Sequence, residues 1–244
     1  MNKHLTAIIF AVSIVASAIV LGNAFMNRNK TQGTVSVTGL GQSNFTSDLI
    51  VWEANFSQTN TNLREAYTDL DNDKSEIKNY LIGKGLSEDV IVFSAVVTNN
   101  NYESKYSSTG EFTGQEFTGY TLTQSVQIES TDVEKVETIS REVTELLNKG
   151  IQLYSSPPRY YYTKLDELKI EMISQATENA RIRAEKIAEN SKSQLGELII
   201  AKMGIFQITG QNSNESYSWG GVYNTSSKEK TASITMKLSY RVQD

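Results

Sequence analysis

The chain has 244 residues, no cysteine and one histidine, with 23 basic residues against 28 acidic ones and a formal net charge of −5. The histidine is His4, inside an apolar leader, so the body has no disulfides, thiolate nucleophiles, Cys-ligated metals, Ser-His triads or His-based zinc sites. The acidic balance argues against a general nucleic-acid binder, which would carry a basic field.

The first 25 residues read as a membrane-targeting element. Lys3 precedes an uncharged run from Leu5 to Phe25, closer to the ~20 residues of a spanning helix than to the shorter core of a signal peptide. Ala16-Ser17-Ala18 and Gly22-Asn23-Ala24 have the small-residue spacing of a cleavage site, but the apolar core continues past the first of them. An uncleaved signal anchor is favoured over a cleaved leader, with the body exported. Lys3 favours a cytoplasmic N-terminus, while Arg28 and Lys30 pull the other way. Residues 26–33 read as a polar linker, and residues 34–244 as one domain.

The body opens with alternating TVSVTGLG, a strand, followed by DLIVWEANFSQ, in which Ile50, Trp52, Ala54 and Phe56 share one face. A helix follows, with Asn62 and Glu65 as a capping-box-like start and Leu63, Ala66, Tyr67, Leu70, Ile77, Tyr80 and Leu81 at helical spacing. Gly83 and Gly85 end it. DVIVFSAVV reads as an apolar strand that runs into a polar loop, Asn99–Gln115. GYTLTQSVQIES resumes the alternation, with Gln124 interrupting the apolar face.

A second helix has Thr131 and Glu134 as its capping box and Val133, Val136, Ser140, Val143 and Leu147 as its inner stripe, ending at Gly150. Pro157 and Pro158 keep the next stretch extended. The third helix spans about Lys164 to Ser193, with Gly196 at the expected stop. LIIAKMGIFQI is a strand, and Gly210–Lys230 is a polar loop bearing Tyr217, Trp219 and Tyr223. The last strand sets Ala232, Ile234, Met236, Leu238, Tyr240 and Val242 on one face. The class is α+β: a twisted antiparallel or mixed sheet of about seven strands with three helices, the last one long. From Asp48 to Tyr162 the order β-α-β-β-α-β is compatible with a split βαβ arrangement.

Ala176, Ala180, Ala184 and Ala188 recur every fourth position in the long helix. A step of four advances about 400°, so the stripe drifts and suits close packing on a twisted sheet rather than a straight coiled-coil seam.

This alanine helix, running into Leu195-Gly196, resembles the corresponding helix of the SIMPL-domain family of bacterial envelope proteins. That family includes periplasmic oxidative-stress defence proteins and outer-membrane-associated antigens. Val37, Gly39 and Gly41 resemble its opening strand, and Gly119-Tyr120 its Gly-Tyr strand. Ser47-Asp48 stands where the family commonly has Pro-Asp. The resemblance implies an exported protein, ring-like or channel-like homo-oligomers and a link to stress tolerance. It carries over no catalytic residue.

Asp69, Asp71 and Asp73 resemble a calcium-loop fragment, but they lack its glycine and distal glutamate and fall on a helix face. Nothing pairs carboxylates at a recognisable catalytic spacing, and no cofactor or metal is expected. The leading expectation is a non-enzymatic, homo-oligomeric envelope protein with a scaffolding or stress-protective role. The alternative is a binding module that uses the two polar loops, with Tyr217, Trp219 and Tyr223 as partner contacts.

Overall fold

The computed structural model describes residues 3–28 and 33–243. Among these are four α-helices and ten strands, an α+β architecture with more strands than the sequence predicts. Helix α1 (Lys3–Arg28) contains Ala7–Phe25, long and apolar enough to cross a membrane, with none of that window buried. Of the expected linker, residues 26–28 continue α1, and residues 29–32 lie outside the described residues.

The chain divides into two compact units. The first comprises Met1–Gly41, Ser174–Gly204 and Thr235–Asp244. Here the opening residues of β1 (Thr34–Thr46) and the closing residues of β10 (Glu229–Gln243) are neighbours, and β8 (Gln194–Met203) lies antiparallel on the far side of β10. The alanine stripe of α4 (Leu165–Asn190) is buried, with all four side chains at most 3% exposed. The helix ends in a Schellman motif. Lys192 takes φ 58°, and the Ser193 amide donates to the Ala188 carbonyl at 3.0 Å. Gly196 therefore does not stop the helix as expected. It lies inside β8, where a Cβ would meet the Arg241 carbonyl oxygen at 2.9 Å.

The second unit comprises Gln42–Ile173 and Ile205–Ile234. Its central strand is β2 (Leu49–Asn60), paired along its length with β5 (Phe112–Ser130). The short strands β3 (Ile91–Phe93), β6 (Leu153–Ser155) and β7 (Arg159–Tyr161) complete the sheet, and β4 (Val97–Tyr106) pairs with β5 alone. Ile50, Trp52, Ala54 and Phe56 are at most 1% exposed and form one core with Ala66, Leu70, Ile77 and Leu81 of α2 (Leu63–Gly83). Val133, Val136 and Ile139 of α3 (Val133–Glu142) close that core.

Several boundaries differ from the sequence reading. The N-cap of α3 is Asp132, whose Oδ1 accepts from the Lys135 amide at 3.2 Å, one residue later than Thr131. After Glu142 the backbone tightens to a 3₁₀ helix, Val143–Lys149. At about three residues per turn, Leu146 rather than Leu147 follows Val143 inward. Leu146 is accordingly 1% exposed and Leu147 53%. The predicted strand LIIAKMGIFQI is broken after Met203, and β9 (Gln207–Gly210) pairs with the start of β10. Gln124 keeps its place on the buried face because its Nε2 donates to the Ser94 carbonyl at 2.7 Å.

Candidate interaction site

The polar stretch expected to be a loop, Asn99–Gln115, is not one. Val97–Tyr106 and Phe112–Ser130 form a long antiparallel hairpin. A compact turn closes it. The Ser107 amide donates to the Glu111 carbonyl at 2.8 Å, and Gly110 supplies φ +83°. From Phe112 to Gly119, β5 pairs only with β4, so this part of the hairpin projects as a two-stranded arm. Gly119 marks its root. There φ is +139°, and a Cβ would meet the Asn60 carbonyl oxygen at 2.7 Å.

The arm has two chemically different faces. Tyr102 lies opposite Phe117, and Tyr106 opposite Phe112, with register shifts that keep these rings together. The centroid spacings are 4.9 Å for Phe117–Tyr120, 5.8 Å for Tyr102–Phe117 and 6.0 Å for Tyr106–Phe112, all edge-to-face. The ladder starts beside buried Leu122 and runs outward, and Tyr102, Tyr106, Phe112 and Phe117 are all exposed. Asn101, Glu103 and Lys105 alternate with it, and Lys105 pairs with Glu116 at 2.8 Å. An isolated hairpin is marginal in water, and edge-to-face pairs add about 0.5–1.5 kcal/mol each. Beside the arm's root, an open cleft of about 770 Å³ is lined by Leu63, Tyr67, Val96 and Leu122 among others.

The second expected loop is held from beneath by buried polar groups. The Gln207 side chain donates to the Ser218 carbonyl at 2.9 Å and accepts from the Val222 amide at 2.8 Å. Glu215, itself exposed, accepts from the Gly210 amide at 2.8 Å and from the buried Asn224 Nδ2 at 2.5 Å. These donors hold its carboxyl below the usual range. Lys230 is 1% exposed, and its ammonium donates to the Ser227 carbonyl. Burial lowers its pKa to about 8, with Glu215 opposing the shift. Above this network Trp219 is 96% exposed, Tyr217 64% and Tyr223 46%. The Tyr223 ring lies 6.5 Å from that of Tyr161.

The other residues singled out in the sequence fall elsewhere. Val37, Gly39 and Gly41 are on the buried face of β1, in the same unit as the alanine stripe. Tyr120 is half-buried at the arm's root, and Leu195 and Gly196 are in β8. Arg181, on the alanine helix, bridges Glu178 at 2.7 Å and also Glu185. Asp73 accepts from Gln58 Nε2 at 2.7 Å, and burial raises its pKa. Among the described residues, no group of three or more acidic or histidine side chains is placed to hold a metal. The hairpin was legible as Tyr102, Ser104 and Tyr106 alternating with charged residues ahead of Ser-Ser-Thr-Gly, a signal masked by the segment's polarity.

Residues 35–243 match the family model SIMPL, described as a protein of unknown function (DUF541). The chain belongs to the SIMPL family. No curated protein matches it. In this SIMPL protein the pair Ser47-Asp48 ties neighbouring segments together. The Ser47 amide donates to the Lys228 carbonyl at 3.0 Å, and Asp48 accepts from the amide and the hydroxyl of Thr163, each at 2.7 Å.

Proposed function

We propose that this SIMPL protein is a non-enzymatic cell-envelope protein, anchored by α1 with its body outside the cytoplasm. It assembles with copies of itself and serves a scaffolding or stress-protective role. The observation that carries this reading is the uncovered aromatic ladder from Tyr120 to Phe112, a face apolar on one side only. Contiguous exposed apolar surface of this kind marks an interaction site. A second copy supplies both the interlocking rings and the apolar cleft at the arm's root. Light scattering on the full chain in detergent tests it. A multimer that Tyr102→Ser/Phe117→Ser dissociates supports the reading, and a wild-type monomer defeats it.

A second reading, as a binding module, is favoured by one observation. Trp219 is almost wholly exposed on a loop that Gln207, Glu215 and Asn224 hold in place.

A further inference from the structure

The segment Ser216–Ser226 combines features that an ordinary solvated loop does not need together. It carries no charged side chain, although three of its aromatic residues are exposed. The nearest acid, Glu215, is exposed, but its carboxylate is engaged by the Gly210 amide and Asn224 Nδ2 outside the segment's aromatic residues. Its backbone is fixed at both ends. Gln207 grips Ser218 and Val222, the Ser218 hydroxyl donates to the Gly221 carbonyl at 2.9 Å, and the Asn224 amide donates to the Ile208 carbonyl at 2.9 Å. The backbone that carries Trp219 is therefore held before contact, which lowers the entropy lost on ordering the segment.

We propose that this segment is a bilayer-interface anchor, in which Trp219 enters the headgroup region of a lipid surface with Tyr217 and Tyr223 beside it. Indole and phenol rings combine an apolar body with a polar edge, and they concentrate at this depth of a membrane. An uncharged backbone segment enters without the penalty of desolvating an ion. A lipid surface is favoured over a protein pocket because the same chain carries the apolar span Ala7–Phe25. Only residues 29–33 separate α1 from β1, at most ~18 Å of extended chain. A tether this short keeps the start of β1 near the bilayer. The inference rests on the binding-module reading and on retention of α1, and it names lipid as the partner.

The test uses the full chain reconstituted in phosphatidylcholine vesicles, with flotation to establish that α1 holds it there. Trp52 is 0% exposed, so subtracting the emission of Trp219→Ser from wild type isolates Trp219. The expected Trp219 emission is blue-shifted, protected from aqueous acrylamide and largely lost when the lipids carry a nitroxide near the headgroup. Exchanging phosphatidylcholine for phosphatidylglycerol leaves these values unchanged, because the segment is uncharged. Vesicle-bound protein whose Trp219 is quenched by acrylamide and untouched by the nitroxide overturns the inference and leaves the α1 anchor standing. Protection from acrylamide without nitroxide quenching overturns it in favour of a protein contact. Failure to float overturns the inference together with the membrane placement.

Discussion

A Cβ built on Gly39 would lie 2.0 Å from the carbonyl oxygen of Ala176, so β1 and α4 meet backbone against backbone. The same Cβ would be 2.8 Å from that of Ala180, so both partners in the contact must be small. That approach lets α4 reach β1 with polar side chains. Asn179 Oδ1 accepts from the Leu40 amide at 3.2 Å, and Arg183 donates to the Thr38 carbonyl at 3.0 Å. Side chains of the helix thus satisfy backbone groups of β1, one way of blunting an edge strand.

Gly39→Ala is expected to destabilise the protein by more than about 2 kcal/mol, because the obstruction is backbone and overpacking of this kind typically costs about 1–3 kcal/mol. Gly83→Ala is the control. Its Cβ would meet nothing within 4 Å, so its midpoint should stay near wild type. Thermal unfolding followed by circular dichroism measures both, and equal midpoints for the two variants would count against the close contact.

Lys230 gives the stability a pH dependence of known sign. Its folded pKa, about 8, lies below its ordinary 10.5, so folding disfavours the charged form. Stability is therefore reduced below pH ~8 and rises toward pH ~10, as the folded state sheds a proton that the unfolded chain keeps. Above pH ~10 the trend reverses. Burial raises the pKa of Tyr80, Tyr160, Tyr223 and Tyr240, so the unfolded chain ionises first. Denaturant midpoints across pH 7–10 should climb in wild type and stay nearly flat in Lys230→Met. A wild-type profile that falls over this window would refute the assignment.

Gln207→Leu removes the three hydrogen bonds that its amide makes to Ser218 and Val222. Chymotrypsin should then cut at Tyr217 or Trp219 roughly tenfold faster than in wild type, since about 1.4 kcal/mol of local opening energy corresponds to that factor. Far-ultraviolet circular dichroism should be unchanged. Equal cleavage rates would show that the loop is held some other way.

Much of the fold was legible because its signals are local and repeated. Alternation identified β2 and β10, and the Ile50-Trp52-Ala54-Phe56 face became the core as periodicity predicts. The alanine stripe gave the close-packed helix face, although only the structure supplies Gly39 as its partner. Elements whose signal is geometric rather than compositional were missed. The switch from α to 3₁₀ after Glu142 moved the buried position from Leu147 to Leu146 without any change in residue type. The arm gives no strand signal in the sequence, because β4 is exposed on both faces and so lacks a continuous apolar stripe. Lys230 is invisible in the sequence, because no pattern distinguishes a lysine buried under a folded loop from one in solvent.

The proposed self-assembly runs through the aromatic ladder. Multi-angle light scattering on the detergent-extracted full chain, in parallel with Tyr102→Ser/Phe117→Ser, tests it most directly. Both residues are exposed and outside the core, so the double variant should keep the fold beyond the arm, which far-ultraviolet circular dichroism checks. Assembly through the ladder gives a wild-type particle holding several chains and a variant particle holding one. A wild type that elutes as a single chain at micromolar concentration, or a variant that remains fully assembled, would contradict it.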